Sequence, residues 1–121
     1  MASSLLDTLG RGHLVFGRII YNGSGVPALS GCNDESATLA DTGTGIATLT
    51  FGEAFSSVPV VVALPIKGTE AATTNNHVVV DSITTTVVVF RFKVDAAATN
   101  STADPADTDG CSFMIAGFRN V

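Results

Sequence analysis

From His13 to Tyr21 the chain reads HLVFGRIIY, a β-rich run with apolar side chains on both sides of an extended strand. Leu14, Phe16 and Ile20 fall on one face, interrupted by Arg18, and Val15, Ile19 and Tyr21 fall on the other. Asn22-Gly23 then marks a turn. Ile46 to Phe51 alternates cleanly, with Ala47, Leu49 and Phe51 opposite Ile46, Thr48 and Thr50. Val58 to Leu64 is apolar on both faces, which predicts a central strand covered on both sides. Pro59 sits near its start, where a missing N–H does least harm. His77 to Ile83 and Val87 to Val94 flank a Thr84-Thr85-Thr86 corner. In the second of these, Val88, Phe90, Phe92 and Val94 share a face, while Arg91 and Lys93 point the other way. Cys111 to Phe118 is the last strand.

Between these runs the chain is polar. Val26 to Leu39 is mixed, with one irregular strand expected near Ala37 to Ala40, and Asp41 to Gly45 (DTGTG) reads as a second turn. Lys67 to Asn76 and Asp95 to Gly110 read as polar loops, the latter without an apolar anchor, and both are expected to face outward. Ala2 to Leu9 holds at most two helical turns, ended by Gly10, or forms an arm. Its leucines, Leu5, Leu6 and Leu9, have no obvious partner in the strands. The expected architecture is all-β: a single antiparallel β-sandwich of jelly-roll-like type, residues 13–121, preceded by a short N-terminal arm, residues 1–12. Its expected core is Leu49, Phe51, Val60, Val62, Val80, Phe90, Phe92, Phe113 and Ile115.

Composition sharpens this picture. The 121 residues suit one domain. Charged residues make up 14%, against about 25% in ordinary soluble domains, which suits a subunit that hides surface against neighbours. The net charge is −5, and the six basic residues are scattered, so no phosphate-tracking groove and no nucleic-acid partner are expected. Val58 to Ile66, the longest apolar run, is too short to span a bilayer, and no membrane partner is expected. The start MASSLLDTLGRGH lacks the basic and apolar regions of a secretion signal, so synthesis in a cytoplasm is expected. Cys32 and Cys111 read as two small buried or half-buried thiols rather than a bridge.

Candidate chemistry is sparse. Asp104, Asp107 and Asp109 before Gly110 invite a calcium loop, but in an EF-hand register position one would be Pro105 and position twelve Ala116. A solvated acidic loop is the preferred reading, with an irregular Ca²⁺ site at a subunit contact as the alternative. His13 and His77 lack a second ligand at i+2 or i+4 and read as strand-end residues, with a His77 cluster about a trimer axis as the minority case. No G-x-S-x-G elbow exists, and Glu53 and Glu70 form no evident pair. No catalytic residue, metal site or cofactor is expected.

Gly43-Thr44-Gly45-Ile46-Ala47-Thr48-Leu49-Thr50-Phe51 resembles the "G-x-G-x-(Y/A)-T-V-x-F" strand of small β-sandwich modules in bacteriophage fibres and other virion proteins. Ala54-Phe55-Ser56-Ser57-Val58-Pro59-Val60-Val61 resembles the "F-S-x-P-V-V" segment that follows there, and Val15-Phe16 to Tyr21-Asn22-Gly23-Ser24-Gly25 resembles their "V-x-F-N-G-x-G" hairpin. Phe113 to Phe118 resembles their closing strand, and the order is also similar to H-type lectin domains. The resemblance spans roughly residues 13 to 118. It implies a non-enzymatic phage virion protein and a homotrimer. The chain has no tryptophan, and Met114, Ala116 and Phe118 replace the lectins' late aromatic, which weakens a carry-over of sugar binding. Without a fibrous shaft, the implied role is a capsid decoration or cement protein on the particle surface, its trimers bridging the major capsid protein or other virion proteins. Leu5, Leu6, Leu9 and Arg11 of the arm would contact the particle. The alternative is a receptor-binding module of a tail or head fibre, holding a host cell-surface glycan or protein on an aromatic platform such as Tyr21 or Phe118.

Overall fold

The computed structural model describes residues 12–68, 76–96 and 99–119, with the backbone alone for residues 95, 96 and 99–101. Among the described residues nine strands follow one another: β1 Gly12–Tyr21, β2 Pro27–Ser30, β3 Thr38–Gly43, β4 Ile46–Thr50, β5 Val60–Ile66, β6 Asn76–Ile83, β7 Val87–Ala96, β8 Thr99–Thr102 and β9 Gly110–Phe118. Among the described residues there is no helix. The first sheet has the order β2-β1-β9-β5. The second has the order β3-β4-β7-β6, with β8 also on β7. All pairings are antiparallel.

The two sheets share one core, an arrangement compatible with a sandwich. Val15, Ile19, Tyr21, Cys111, Phe113 and Ile115 enter it from the first sheet, and Ala47, Leu49, Val88, Phe90 and Phe92 from the second. Aromatic rings join the layers. Tyr21 meets Phe92 edge-on at 5.1 Å between centroids, and Phe90 meets Phe113 at 5.7 Å. The alternation in β4 and β7 therefore sorts their side chains as the sequence pattern expects.

Two core residues expected from the sequence lie outside it. Val60 is 68% and Val62 is 53% exposed. The doubly apolar run of β5 is not a covered central strand: β5 pairs only with β9 and ends the first sheet. Its inward residues, Val61 and Ala63, reach the core only in part. The buried places go instead to Val15, Ile19 and Tyr21 of β1, whose two apolar faces left the inward one undecided in the sequence. Strand β2, with Pro27 at its start, has too little alternation to be read beforehand. The DTGTG segment is mostly strand: β3 runs to Gly43 through a bulge at Asp41–Gly43, and the turn narrows to Thr44-Gly45. Gly45 adopts φ +71°, and a Cβ there would strike the backbone of Ala103. Its N–H donates to Asp104 Oδ1 at 2.7 Å and its carbonyl accepts from Phe92 N at 2.7 Å.

The segment before β9 is not an outward loop. It carries β8, and its end is stitched to β1: Thr108 N donates to the Tyr21 carbonyl at 2.8 Å, and Tyr21 N donates to the Asp109 carbonyl at 2.9 Å. Pro105 is buried and Asp109 is 1% exposed. Polar anchors do here what apolar anchors do elsewhere. Cys32 and Cys111 are free thiols, the latter fully buried, as the sequence reading has it.

Candidate interaction surface

Residues facing each other across antiparallel strands point to the same side. On the outer side of the first sheet the register therefore builds rows: Leu14, Ala116 and Val60; then Phe16, Met114 and Val62; then Arg18, Ser112 and Leu64. Phe118 stands opposite Gly12 at the end. Of the ten large apolar side chains exposed among the described residues, seven belong to this face: Leu14, Phe16, Val60, Val62, Leu64, Met114 and Phe118. Scattered exposed hydrophobics are ordinary, but contiguous rows mark contact surfaces. Shallow hollows lie along it, one between Leu14 and Phe118 and one between Phe16, Arg18 and Met114.

The outer side of the second sheet is dressed differently. Thr42 and Thr48 share a hydroxyl hydrogen bond at 3.0 Å, and Arg91 donates to both carboxylate oxygens of Asp81 at 3.1 and 3.0 Å. That bidentate bond holds the Asp81 carboxyl below its usual range. This side mixes polar pairs with single apolar residues such as Val79, and lacks the contiguous apolar rows of the first sheet.

At one rim of the apolar face lies a polar cluster that sequence reading did not assemble. Arg119, 8% exposed, donates from Nη1 to His13 Nε2 at 2.7 Å and lies 4.9 Å over the Phe55 ring. Its Nη2 is 3.6 Å from Asp34 Oδ2, and Glu53 stands 3.9 Å from Nη1. Accepting from Arg119 places the His13 proton on Nδ1. Burial lowers the His13 pKa first, the Arg119 charge lowers it further, and Asp34 and Glu53 oppose both. Asp34 also accepts from Gly52 N and Ser36 N, so the cluster ties the β2–β3 and β4–β5 loops to the ends of β1 and β9. Nearby, the Asn33 side chain accepts from Phe16 N and donates to the Leu14 carbonyl, both at 2.8 Å, and so imitates a strand residue on β1. These partners lie far apart in sequence, and no local motif announces them.

The acidic residues singled out from sequence do not converge. Asp104 accepts from Gly45 N; Asp109 accepts from Gly68 N at 2.7 Å and pairs with Lys67 at 3.4 Å. Asp107 alone is exposed. Among the described residues no three His, Cys, Asp or Glu side chains form a group fit for a metal ion. His77 is exposed at the start of β6, opposite Lys93. Tyr21, one of the two expected aromatic platforms, is 1% exposed and belongs to the core, and burial pushes its phenol pKa far up. Phe118, the other, is 40% exposed. Leu5, Leu6, Leu9 and Arg11 lie outside the described residues. Among the described residues no helix is long and apolar enough to cross a membrane.

No family model matches the chain, and comparison with curated proteins and with solved structures gives no match.

Proposed function

We propose that this chain is a non-enzymatic structural protein of a phage particle, displayed on its surface as a capsid decoration or cement protein. In this reading the two sheets form a jelly-roll-like sandwich, assembled as a trimer that bridges capsid subunits, with the arm Leu5, Leu6, Leu9 and Arg11 reaching the particle. One observation carries the reading: the outer face of the first sheet holds contiguous rows of exposed apolar side chains and no acid. Such a face suits permanent contact. The resemblance of the Gly43–Phe51 strand and its neighbours to virion modules supplies the setting.

A receptor-binding module remains the second reading, favoured by Phe118 at the end of the face beside a hollow lined by Leu14 and Ala116. Copy number separates the two. Quantitative mass spectrometry of purified particles, against the major capsid protein, is expected to give one chain or one trimer per few capsid subunits. A few tens of copies per particle would move the protein to a fibre or vertex, and absence from particles would end the virion reading. Removing the arm, residues 1–12, is expected to abolish particle binding while the oligomer persists; binding that survives would refute the arm's role.

A further inference from the structure

We infer that the outer face of the first sheet is a self-contact, covered by the same face of a neighbouring copy of this chain. The strongest reason is charge. The chain carries 11 acidic residues and a net charge of −5, so two copies repel over most of their surface. None of those acids lies in β1, β2, β5 or β9, the four strands of the first sheet. The one formal charge in these strands is Arg18, at the margin beside Ser30. This is the surface on which two such chains meet without opposing carboxylates. The same count weighs against an anionic lipid surface, which takes a cluster of basic residues for firm binding.

Size sets the strength of the contact. Three strands spaced about 4.8 Å apart, over about seven residues at about 3.3 Å each, give a flat footprint of about 330 Å². Two faces together remove about 660 Å² of flat footprint, short of the roughly 1,000 Å² that a stable specific interface clears and within the range of a weak, transient one. Sheets pack face to face at about 10 Å, so Phe16, Met114 and Val62 can interdigitate with their counterparts. The contact is therefore expected to be modest, with a dissociation constant of about micromolar order. In the particle-coating role this two-fold contact links a chain of one trimer to a chain of the next, while its geometry is independent of where the protein is displayed.

The test is sedimentation of the full chain across concentration, beside Val62→Glu and Met114→Lys. Both positions are more than half exposed, so folding is expected to survive, checked by thermal melting. A face that meets its own copy pairs chains two by two, so the wild-type chain of 12.3 kDa should form an oligomer of even copy number, the dimer at its simplest, and each variant should weaken it at least tenfold. A wild-type chain that stays monomeric at about 0.1 mM would overturn the inference. So would an oligomer that both variants leave intact. So would a monomer that floats with phosphatidylcholine–phosphatidylglycerol vesicles, or one that self-associates only after Leu5, Leu6 and Leu9 are changed to Ser. If the variants break the oligomer yet the protein is absent from particles, the self-contact stands and the virion reading falls. Abundance on particles with a monomeric chain gives the reverse.

Discussion

Arg119 shows how much one side chain can organise at this rim. Its guanidinium holds His13, Asp34 and the Phe55 ring in one buried cluster, yet its Nε and Nη2 have no hydrogen-bond partner among the described residues. Arg119→Ala should cost about 2 kcal/mol, because it leaves Asp34 without its counter-charge, and NMR titration should show His13 rising toward 6.5. The pH dependence has a definite sign. The folded His13 binds its proton less readily than the unfolded one, so its contribution is complete above pH 6.5. It declines as pH falls between 6.5 and the lower folded value, and levels off below that. In denaturant midpoints taken from pH 8 to pH 5, His13→Gln should remove this part of the decline; an unchanged profile would mean His13 is not its source. Asp109 makes a second case. It is fully buried and anchors Gly68 and Lys67, so Asp109→Ala should cost about 2–4 kcal/mol and Asp109→Asn less, since the amide oxygen can still accept from Gly68 N. Added Ca²⁺ or chelator should leave the melting temperature unchanged.

Strands were legible where one period dominated. β4 and β7 alternate, and their inward residues are the ones the pattern names. Strands apolar on both faces were not legible, because periodicity cannot say whether a second apolar face is a second core or an unpaired surface. β1, β5 and β9 have such faces, and the error fell on Val60 and Val62 of β5. The element-scale check is a pair of substitutions on β5. Val61→Ser should cost about 1–3 kcal/mol, and Val60→Ser should stay within about 0.5 kcal/mol in the dissociated subunit, because only the first faces the core. Equal costs would contradict the register of β5 on β9. Turns behaved in the same way. Asn22-Gly23 folded as its residues demand, with Asn22 Oδ1 accepting from Ser24 N and Val26 N. The role of Gly45 was hidden, because it depends on Ala103 and Asp104, far along the chain. Gly45→Ala should cost about 1–3 kcal/mol in thermal or denaturant unfolding, since it combines a positive φ with a backbone clash.

At the scale of the whole molecule, the low charge read from composition proves to be unevenly placed rather than thinly spread. The second sheet's outer side carries the Arg91–Asp81 pair, and the first sheet's carries Leu14, Phe16, Met114 and Val62. Composition could signal hidden surface but could not locate it, since the face is assembled from three strands far apart in sequence. Self-association through a face without acids on an acidic chain should tighten as ionic strength rises from about 0.01 to about 0.1 M, because screening shortens the reach of the repulsion from about 30 to about 10 Å. Weakening over that range would point to a charged contact elsewhere. Met114 offers the most direct probe of the face, being 54% exposed at its centre in the lone subunit. Its rate of peroxide oxidation, followed by mass spectrometry in the dilute subunit and in the assembled oligomer, reads whether the face is covered. A several-fold slowing on assembly is the predicted result. Equal rates in the two states would mean that this face stays open to water and that the protein assembles, if at all, through another surface.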